Sequence, residues 1–583
     1  MILALTISMA LTACTATGNG TNTGTGISTG TDYSSQNVTE VLTELSVDAG
    51  SYFSDGDYKD VTSETPNAII TLSGGTGSIS DSTRGSDGET VTITSKGIYL
   101  ISGSSKDVTI VINDEKESGN IYLVFDNVTM ENSCKPCVIV EAADKVILQC
   151  VGTNTLSYTG SDEKYDGAVY AKDDLTINGS GTLEIDSSMH GIVCKKDLRI
   201  TGGEIRIEAD AIGIQSMKTL RISGATVDIA SGHDGIQIQG DSEENFLYVA
   251  SGTISIDAGY DGIDIDKESD SASAQCLLAG GQISISAGGG SQNAKNSKTS
   301  QKGIQCDGDI KVGDVKLTIS SADDALHSTE NVYLTDGTLE FSSSDDGVHA
   351  DNAISISGGK VSVTKSYEGL EAYEVFISGG EISVVASDDG INAAGGSDTS
   401  STESAPARWG NMSESTGTLT ISGGRLYVNA QGDGLDSNGS IYVTGGTVIV
   451  EGPTDNGNGA IDKGDGNNCV AQITGGTVLT IGSTGMAINF DSGSQCSGLI
   501  SLAGEAGTTI TVEDGSDFTF TTTKAFQCIV YSSSSMSQGK SYTVKAGSES
   551  GTMDFTDSLY YSEVTSAGPG MGGAPGGLGK GGR

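Results

Sequence analysis

Several kinds of residue are scarce in this chain of 583 residues. Aromatic residues make up 5% of it, with one tryptophan, and there are six prolines, so any core must be thin and aliphatic. Basic residues are also few, because 31 Lys and Arg stand against 76 Asp and Glu and the net charge is −45. This charge argues against nucleic acid and anionic membrane surfaces as partners. No stretch shows a helical period with end caps, so helices are not expected.

Glycine is abundant, with 84 residues, and one short phrase that contains it returns along the chain. The phrase is an acidic residue, glycine, an aliphatic residue and a polar residue, and it is clearest as SDDGVHAD, YEGLEA and SDDGINAA. The glycines of these three copies, Gly347, Gly369 and Gly390, are 22 and 21 residues apart, a period typical of solenoid repeats. Weaker copies, including one at Asp210-Ala211-Ile212, bring the total to about thirteen rungs.

A double glycine inside aliphatic-polar alternation falls between the phrases, as at Gly358-Gly359 and Gly379-Gly380. Alternation with period two indicates strands, and glycine pairs supply the positive φ angles of tight corners. A rung of about 22 residues cannot bury its own apolar face, so successive rungs must stack. The sequence therefore predicts an all-β fold, a single-stranded parallel β-helix (solenoid) with about 13 or more rungs of roughly 20–25 residues.

The two ends of the chain lie outside this repeat. Residues 1–14, MILALTISMALTAC, resemble a bacterial lipoprotein signal in which Cys14 is acylated, which predicts an extracellular monomer anchored to the cell membrane by lipid alone. The predicted order after the signal is a flexible tether (15–45), an N-terminal β cap (46–96), the parallel β-helix (97–490), C-terminal β rungs with a cap (491–563) and a disordered Gly-rich tail (564–583).

The cysteines of the body indicate core packing and no metal centre. Cys194 and Cys306 fall in the second apolar slot after the phrase, the slot of Ala350 and Ala372 in other rungs, so they are predicted to be buried thiols. Cys134-Lys135-Pro136-Cys137 is a CxxC, but no second pair with zinc spacing follows it in the sequence. A local disulfide or an unreactive pair is expected there.

Stacking places the polar residues of successive phrases in columns. In SDDGVHAD, Val348 and Ala350 point inward by alternation, so His349 points outward and Asp346 lies at the corner before the strand. Rungs lie about 4.8 Å apart, and unit charges at that spacing repel by roughly 1 kcal/mol in water and by more in a partly dry groove. Calcium, which binds about six to eight oxygen atoms, is the expected counter-charge. Turn formation by Asp-Gly and solubility remain open as simpler reasons for the acidic residues.

The candidate calcium ligands are the outward oxygen pairs of neighbouring rungs. His327 and His349 are not calcium ligands and are expected to interrupt the column. The candidate ligands are Asp261, Asp264, Asp266, Asp346, Glu368, Glu371, Asp389, Asn392, Asp433 and Asp436.

The phrases around Gly347, Gly369 and Gly434, together with the Leu-Thr-Ala-Cys that ends at Cys14, resemble the bacterial carbohydrate-binding surface-protein family related to pectate lyases. That family includes a clostridial cellulose- and acidic-sugar-binding protein. The resemblance extends over most of the chain after residue 14, up to the segment KAFQCIVYSSSSMSQGKSYTV. It implies that the β-helix is right-handed, and that it binds calcium and polysaccharide outside the cell. Matched by motif, it also adds Asp345 and Asp388 to the calcium ligands.

Two insertions interrupt the period. Residues 395–415 contain Arg408 and Trp409, which are candidate carbohydrate contacts because a ring can stack on a sugar and a guanidinium can pair with a uronate. Packing of Trp409 against a flank of the solenoid is the other explanation. Residues 286–301 are rich in Ser, Asn and Lys and are expected to form a loop without a role.

These observations predict a calcium-binding surface protein that binds cellulose or acidic pectin-like polysaccharide without cleaving it. A calcium-dependent pectate lyase is the first alternative, with Lys267, Lys302 and Lys463 as possible bases, although none lies in a recognisable catalytic signature. A structural or adhesive surface solenoid is the second alternative.

Overall fold

The computed structural model describes residues 52–115, 119–240, 244–269, 272–394, 417–516 and 518–562. Within these ranges the chain is all-β, as predicted, with a 3₁₀ turn at Asp55–Asp57 and no α-helix. None of the described residues forms a helix that is long and apolar enough to span a membrane. Cys14, Arg408 and Trp409 lie outside the described residues.

The strands are short and follow one another closely along the chain. The first are β1 (Ala68–Gly74), β2 (Thr76–Ile79), β3 (Gly85–Ser86), β4 (Thr90–Ile93), β5 (Gly97–Lys106), β6 (Thr109–Asn113), β7 (Ile121–Asn132), β8 (Val138–Ala142), β9 (Lys145–Val151), β10 (Thr153–Tyr158), β11 (Gly167–Ala171), β12 (Asp174–Gly179) and β13 (Thr182–Ser187). Next come β14 (His190–Cys194), β15 (Asp197–Ile200), β16 (Glu204–Ala209), β17 (Ile214–Ser216), β18 (Thr219–Ile222), β19 (Ala225–Ser231), β20 (Ile236–Ile238), β21 (Glu244–Val249), β22 (Gly252–Ala258), β23 (Ile263–Ile265), β24 (Ser273–Ala287), β25 (Ile304–Cys306) and β26 (Asp309–Ser321).

The second half of the chain continues the same pattern. Its strands are β27 (Leu326–Ser328), β28 (Asn331–Leu334), β29 (Thr338–Ser342), β30 (Val348–Ile356), β31 (Lys360–Lys365), β32 (Leu370–Ile377), β33 (Glu381–Ala386), β34 (Ile391–Ala393), β35 (Thr418–Ile421), β36 (Arg425–Ala430), β37 (Leu435–Ser437), β38 (Ser440–Val443) and β39 (Thr447–Glu451). The last are β40 (Ala471–Ile473), β41 (Thr477–Gly482), β42 (Ser492–Gly493), β43 (Ser497–Gly504), β44 (Thr509–Val512), β45 (Thr519–Thr521), β46 (Phe526–Ser533), β47 (Ser541–Ala546), β48 (Glu549–Asp554) and β49 (Leu559–Tyr561).

Three parallel ladders organise most of these strands, and each takes one strand, or part of a long strand, from every repeat. Ladder A runs through β10, β13, β16, β19, β22, β24, β26, β29, β31, β33, β36, β39 and β41. Ladder B runs through β8, β11, β14, β17, β20, β23, β25, β27, β30, β32, β34 and β37. Ladder C runs through β9, β12, β15, β18, β21, β24, β26, β28, β30, β32, β35, β38 and β40.

The register within ladder B reproduces the spacing of the phrase. Ile214 pairs with Ile192 on one side and with Ile236 on the other, each 22 residues away. The phrase assigned to Asp210-Ala211-Ile212 is therefore out of register, since the glycine of this rung is Gly213. Parallel pairing is confirmed, whereas the hand of the winding, and with it the right-handed β-helix, stays a prediction.

The chain is antiparallel where the ladders end. At the N-terminal end, β1 pairs with β2 and β3 with β4 in antiparallel hairpins, while β1 and β4 already pair in parallel with β5 and β6. At the other end, β46 pairs antiparallel with β41 and β43, and β44, β45, β47 and β48 form a separate antiparallel sheet. Parallel pairing thus begins inside the predicted cap 46–96.

The core is a stack of aliphatic side chains, as the composition predicts. Ile304, Leu326, Val348 and Leu370 follow one another in ladder B register and are fully buried. The adjacent inward column contains Cys306, which is buried and carries a free thiol, and Cys194 is likewise buried and free in its rung. Cys134 and Cys137 are not bonded to each other, with the first exposed and the second buried.

The glycines of the pairs and the glycines of the phrase have different structural roles. The second glycine of each pair has positive φ, for example 73° at Gly359 and 85° at Gly380, which confirms the predicted reason for the pairs. The phrase glycines Gly347, Gly369 and Gly390 do not have positive φ. They are needed instead because successive rungs approach each other too closely for a side chain.

Replacing Gly369 with alanine should therefore destabilise the fold through overlap alone. The added methyl group would overlap the Gly390 carbonyl oxygen and a methyl group of Val384. We expect a loss of about 1–3 kcal/mol in the free energy of unfolding, as for other overpacked sites. Chemical denaturation measures this loss, with Gly75→Ala as the control because the nearest atom to its added methyl group lies 4.0 Å away. Equal denaturation midpoints for the two variants would contradict this reason for the phrase glycine.

Candidate metal-binding columns on ladder B

The register of ladder B aligns the polar residue of each phrase into one column, here called the polar column. Its members lie between the two inward residues of their strands, as alternation predicts. In order along the ladder they are Gln237, Asp264, Gln305, His327, His349, Glu371, Asn392 and Asp436.

A second column, here called the corner column, contains the residue immediately before the phrase glycine. Most of its aspartates have a structural role, because each of these accepts a hydrogen bond from the backbone N–H of the equivalent residue one rung on. Asp324 Oδ1 accepts from Asp346 N at 3.0 Å, and Asp389 Oδ1 accepts from Asp433 N at 2.6 Å. Asp234 Oδ1 accepts from Asp261 N at 3.1 Å in the same way. One oxygen of each of these carboxylates is thus used by the backbone.

The other carboxylate oxygen points toward the polar column of the same rung. Asp324 Oδ2 lies 2.8 Å from His327 Nδ1, and Asp346 Oδ2 lies 3.4 Å from His349 Nδ1. The pairs predicted at a spacing of three residues are therefore neighbours in space. These side chains are not fully in solvent, however, since His349 is 1% exposed and Asp346 7%.

The loop between β24 and β25, residues 288–303, supplies basic side chains next to the middle of the corner column. Lys295 Nζ lies 3.0 Å from Asp323 Oδ1 and 2.5 Å from Asp345 Oδ2, while Lys302 Nζ lies 3.4 Å from Asp323 Oδ2. Burial opposes the charge of Lys295, but Asp324, Asp345 and Asp323 outweigh it and hold its pKa well above the usual range. This loop, expected to have no role, therefore neutralises part of the negative charge of the central rungs.

The imidazole of His349 neutralises the next carboxylates along the columns. Its Nδ1 lies 2.8 Å from Glu371 Oε2, and its Nε2 lies 3.3 Å from Asp351 Oδ1. Burial disfavours the imidazolium, but hydrogen bonds to Asp346, Asp351 and Glu371 outweigh burial and raise the pKa of His349 to about 12. The histidines therefore belong to the columns and do not interrupt them.

Beyond His349 the columns are acidic and contain no counter-charge. Glu368, Asp389, Asp433 and Asp436, with Asn392, are here called the upper acidic cluster. None of the four carboxylates forms an ion pair with a described basic side chain. Burial, reinforced by the neighbouring carboxylates, raises the pKa of Glu368 to about 8, of Asp389 and Asp436 to about 7, and of Asp433 to about 6.

One atom of the upper acidic cluster has no partner. Asn392 is 8% exposed and donates from Nδ2 to Glu368 Oε2 at 2.8 Å. Its Oδ1 is buried and accepts no hydrogen bond from any described residue. An orphaned oxygen among uncompensated carboxylates fits a hard cation, because calcium binds carboxylate and amide oxygens together.

A similar group lies on the opposite side of the central rungs. Asp234, Asp261, Asp264 and Asp266 are here called the lower acidic cluster, and within the described ranges none has a basic partner within 4 Å. Burial and neighbouring carboxylates raise the pKa of Asp261 to about 7 and of Asp264 to about 9. Burial raises the pKa of Asp234 to about 6. The donor set is again all oxygen and suits calcium.

The predicted ligands thus fall into two groups, those that contact a basic side chain and those that do not. Asp345, Asp346 and Glu371 contact Lys295 or His349, whereas no carboxylate of the two acidic clusters forms an ion pair with a basic side chain that the structure describes. Asp388 lies beside Asp389 and accepts a hydrogen bond from the exposed Tyr367, which helps to raise the pKa of that phenol to about 12. The sequence did not suggest Asp234 as a ligand, because its phrase carries glutamine three residues on, and it gave no signal that Lys295 would pair with the carboxylates.

Comparisons with known proteins cover part of the chain. Residues 87–347 match a family model described as "Carbohydrate-binding domain-containing protein". A protein of Acetivibrio thermocellus with the same description is 31% identical over 125 residues, which is 20% of this chain and 43% of the relative. The chain therefore spans less than half the length of that relative. A solved structure of a polysaccharide lyase-like protein from C. thermocellum, a gadolinium derivative, is similar with a TM-score of 0.33 at 24% identity, over 43% of this chain and 97% of that one.

The matched range ends inside the columns. Residues 87–347 include the lower acidic cluster and the loop that carries Lys295, but the upper acidic cluster begins beyond them at Glu368. The match supports the coarser part of the predicted resemblance, to a carbohydrate-binding domain family. The relation to pectate lyases stays a prediction.

Proposed function

We propose that this chain is a right-handed parallel β-helix that binds calcium in the two acidic clusters and binds polysaccharide, either cellulose or an acidic pectin-like glycan, without cleaving it. The match of residues 87–347 to a carbohydrate-binding domain family carries the polysaccharide part of the proposal. Three parallel ladders with one strand per repeat support the β-helix, because that architecture stacks its rungs in this way.

Calcium is proposed because the acidic clusters lack the neutralisation that the central rungs have. Lys295, Lys302 and His349 supply positive charge to the carboxylates between the clusters. No basic side chain of the described residues forms an ion pair with the four carboxylates at either end, and repulsion of like charges is strong where solvent is partly excluded. Two calcium sites, one in each cluster, would supply the missing positive charge, and the upper one would give the orphaned Asn392 oxygen a partner.

A sugar acid could then be held by calcium and by side chains next to it. Tyr367, which is 47% exposed, lies beside Glu368 and Asp388 and presents a ring to solvent. Rings of this kind stack on the apolar faces of sugars. Arg408 and Trp409 remain proposed contacts from the sequence, because the insertion 395–415 that contains them follows β34 in the chain.

The lyase alternative receives no support from the lysines proposed as bases. Lys267 pairs with Glu330 at 3.7 Å, Lys302 with Asp323 at 3.4 Å, and Lys463 with Asp491 at 3.6 Å. A general base must be within reach of the proton that it removes, and each of these ammonium groups is directed to a carboxylate of the chain. We therefore place a non-catalytic binding protein first, with a lyase and a structural solenoid as alternatives.

The proposed location is the outer face of the cell membrane, with the chain anchored by lipid on Cys14. The support for this is the lipoprotein-like segment 1–14. Incorporation of a labelled fatty acid in a bacterial host, lost in Cys14→Ser, would test it.

Binding to polysaccharide should depend on calcium and on the upper acidic cluster. We expect the protein to be retained on immobilised polygalacturonate with calcium and released by chelator, and the double variant Asp389→Asn/Asp436→Asn to lose retention. The matched control is Asp228→Asn/Glu340→Gln, which removes two exposed acidic groups from ladder A. A cellulose pull-down run in parallel distinguishes the two glycan classes.

Two results would contradict this proposal. Absence of retention on every glycan, with or without chelator, would favour the structural solenoid. Release of unsaturated uronate products from polygalacturonate, detected by ultraviolet absorbance, would favour the lyase.

A further inference from the structure

One imidazole in the middle of the columns is surrounded by carboxylates in a particular geometry. His349, 1% exposed, directs Nδ1 to Glu371 Oε2 at 2.8 Å and to Asp346 Oδ2 at 3.4 Å. On the other side of the ring, Nε2 lies 3.3 Å from Asp351 Oδ1. The two nitrogens therefore face different groups, a pair of carboxylates and a single carboxylate.

We propose that Asp346, His349 and Glu371 form a binding site for a divalent transition-metal ion of the zinc class. One ligand atom from each residue lies within 4.8 Å of the other two. Zinc binds imidazole nitrogen and carboxylate oxygen at about 2.0–2.2 Å, so the ligand atoms of a tetrahedral site are about 3.3–3.6 Å apart. The observed 2.8 and 3.4 Å need only a small expansion to admit the ion.

The position of Asp351 provides separate support. Histidines that bind a metal through one nitrogen usually donate the other N–H to a carboxylate, which fixes the tautomer and the orientation of the ring. Asp351 is placed to accept from Nε2, and this leaves Nδ1 free to face the ion. The ring is also held from one side by His327, which stacks on it with centroids 4.6 Å apart and planes at 5°.

The net negative charge around His349 favours a divalent ion in place of the proton on Nδ1. Lys295, Lys302, His327 and His349 can supply at most four positive charges to these rungs. Six carboxylates contact them, so a negative excess remains, and exchange of one proton for a divalent ion reduces it. The six are Asp323, Asp324, Asp345, Asp346, Asp351 and Glu371.

The donor set separates this site from the proposed calcium sites. The acidic clusters offer only oxygen atoms, which calcium prefers, whereas an imidazole nitrogen with two carboxylates suits zinc, cobalt or manganese. The chain would thus hold two classes of ion in adjacent rungs. This site does not depend on polysaccharide binding.

Cobalt(II) is the probe for this site because its visible absorption reports the coordination geometry. The full chain, freed of metal by a chelator, is titrated with cobalt and then with zinc or calcium. We expect one equivalent of cobalt to bind with a nitrogen-containing spectrum, and zinc but not excess calcium to displace it. His349→Gln should weaken cobalt binding at least about 100-fold, and Asp351→Asn about 10–100-fold without a change in stoichiometry. The control is His233→Gln, which changes an exposed histidine that stacks on Tyr260.

Three outcomes would overturn the proposal. The first is an absence of cobalt binding, and the second is cobalt binding that His349→Gln leaves unchanged. The third is stoichiometric displacement of cobalt by calcium, which would make this site one more calcium site. If His349→Gln does not fold, the Asp351→Asn variant and the calcium competition on the unchanged chain still decide between these outcomes.

Discussion

Replacing Lys295 with methionine is expected to lower the free energy of unfolding by about 3 kcal/mol and to make the remaining stability depend on calcium. Breaking a buried ion pair by removing one partner costs about 3–5 kcal/mol, and the 25% exposure of the Lys295 side chain places the loss at the lower end. Methionine keeps the apolar stem, so the change removes the ammonium group and little else. Asp323, 2% exposed, would then remain buried without its closest cation.

Calcium should restore this variant because the vacated position is lined by carboxylates. One oxygen each from Asp323, Asp324 and Asp345 lies within 4.8 Å of the other two. Thermal unfolding with calcium and with chelator measures the effect, and Lys298→Met is the control, since Lys298 is exposed in the same loop. Equal stability of the two variants would show that the ammonium is dispensable. If calcium stabilises Lys295→Met no more than it stabilises the unchanged chain, the vacated position does not accept the ion.

The contact between Lys295 and Asp345 could not be predicted from the sequence. The two residues are 50 positions apart and lie in a loop and a rung that share no period. Periodicity predicts which residues of equivalent rungs lie side by side, because each ladder repeats the same register. It does not predict where an insertion folds back, since that depends on side chains outside the repeat.

Within the repeat the predictions were close to the structure. The spacing of Gly347, Gly369 and Gly390 gave the ladder B register, and alternation placed Val348 inward and His349 in the polar column. The second glycine of each pair supplies a positive φ, as predicted, whereas the phrase glycine is needed because it allows close stacking of the rungs. Only the distance between rungs, which a sequence does not contain, separates these two reasons.

The role of the phrase aspartate was also only partly predictable. The sequence suggested two roles for this aspartate, to form the turn and to bind a cation, and one side chain can serve both. Asp389 Oδ1 accepts the N–H of Asp433 one rung on, which is a structural role. Its other oxygen lies in the upper acidic cluster, where no described cation balances it. A single residue type at a corner therefore gives no way to choose between the two roles in advance.

Without calcium, the protein is expected to lose stability as pH rises from about 4 to 8, and saturating calcium is expected to remove most of this loss. The carboxyl groups of Asp389 and Asp436 have pKa values of about 7 in the folded chain against an ordinary 3.8, and Glu368 about 8 against 4.5. Between the two values the folded state binds more protons than the unfolded state, so stability falls as pH rises.

Neither His349 nor Asp57 reverses this trend. His349, with a folded pKa of about 12 against 6.5, also stabilises the folded chain most at low pH and loses that contribution as pH rises. Burial raises the pKa of Asp57, but hydrogen bonds with Lys145 and Ser54 outweigh burial and lower it to about 2. Asp57 is therefore ionised in both states above pH 5, where it does not make stability depend on pH. A tenfold change in a proton-binding constant corresponds to about 1.4 kcal/mol, so the summed loss should reach several kcal/mol.

Calcium opposes the loss because it binds the deprotonated carboxylates that repel one another. The double variant Asp389→Asn/Asp436→Asn should be more stable than the unchanged chain at pH 8 in chelator, and should gain less from calcium. Asp228→Asn/Glu340→Gln, which removes two exposed charges, should keep both the pH slope and the calcium gain. Calorimetry across this pH range measures all three proteins. If the stability without calcium stays constant or rises with pH, the carboxylates of the clusters are not buried without counter-charge. If calcium stabilises the double variant as much as the unchanged chain, the ion binds elsewhere.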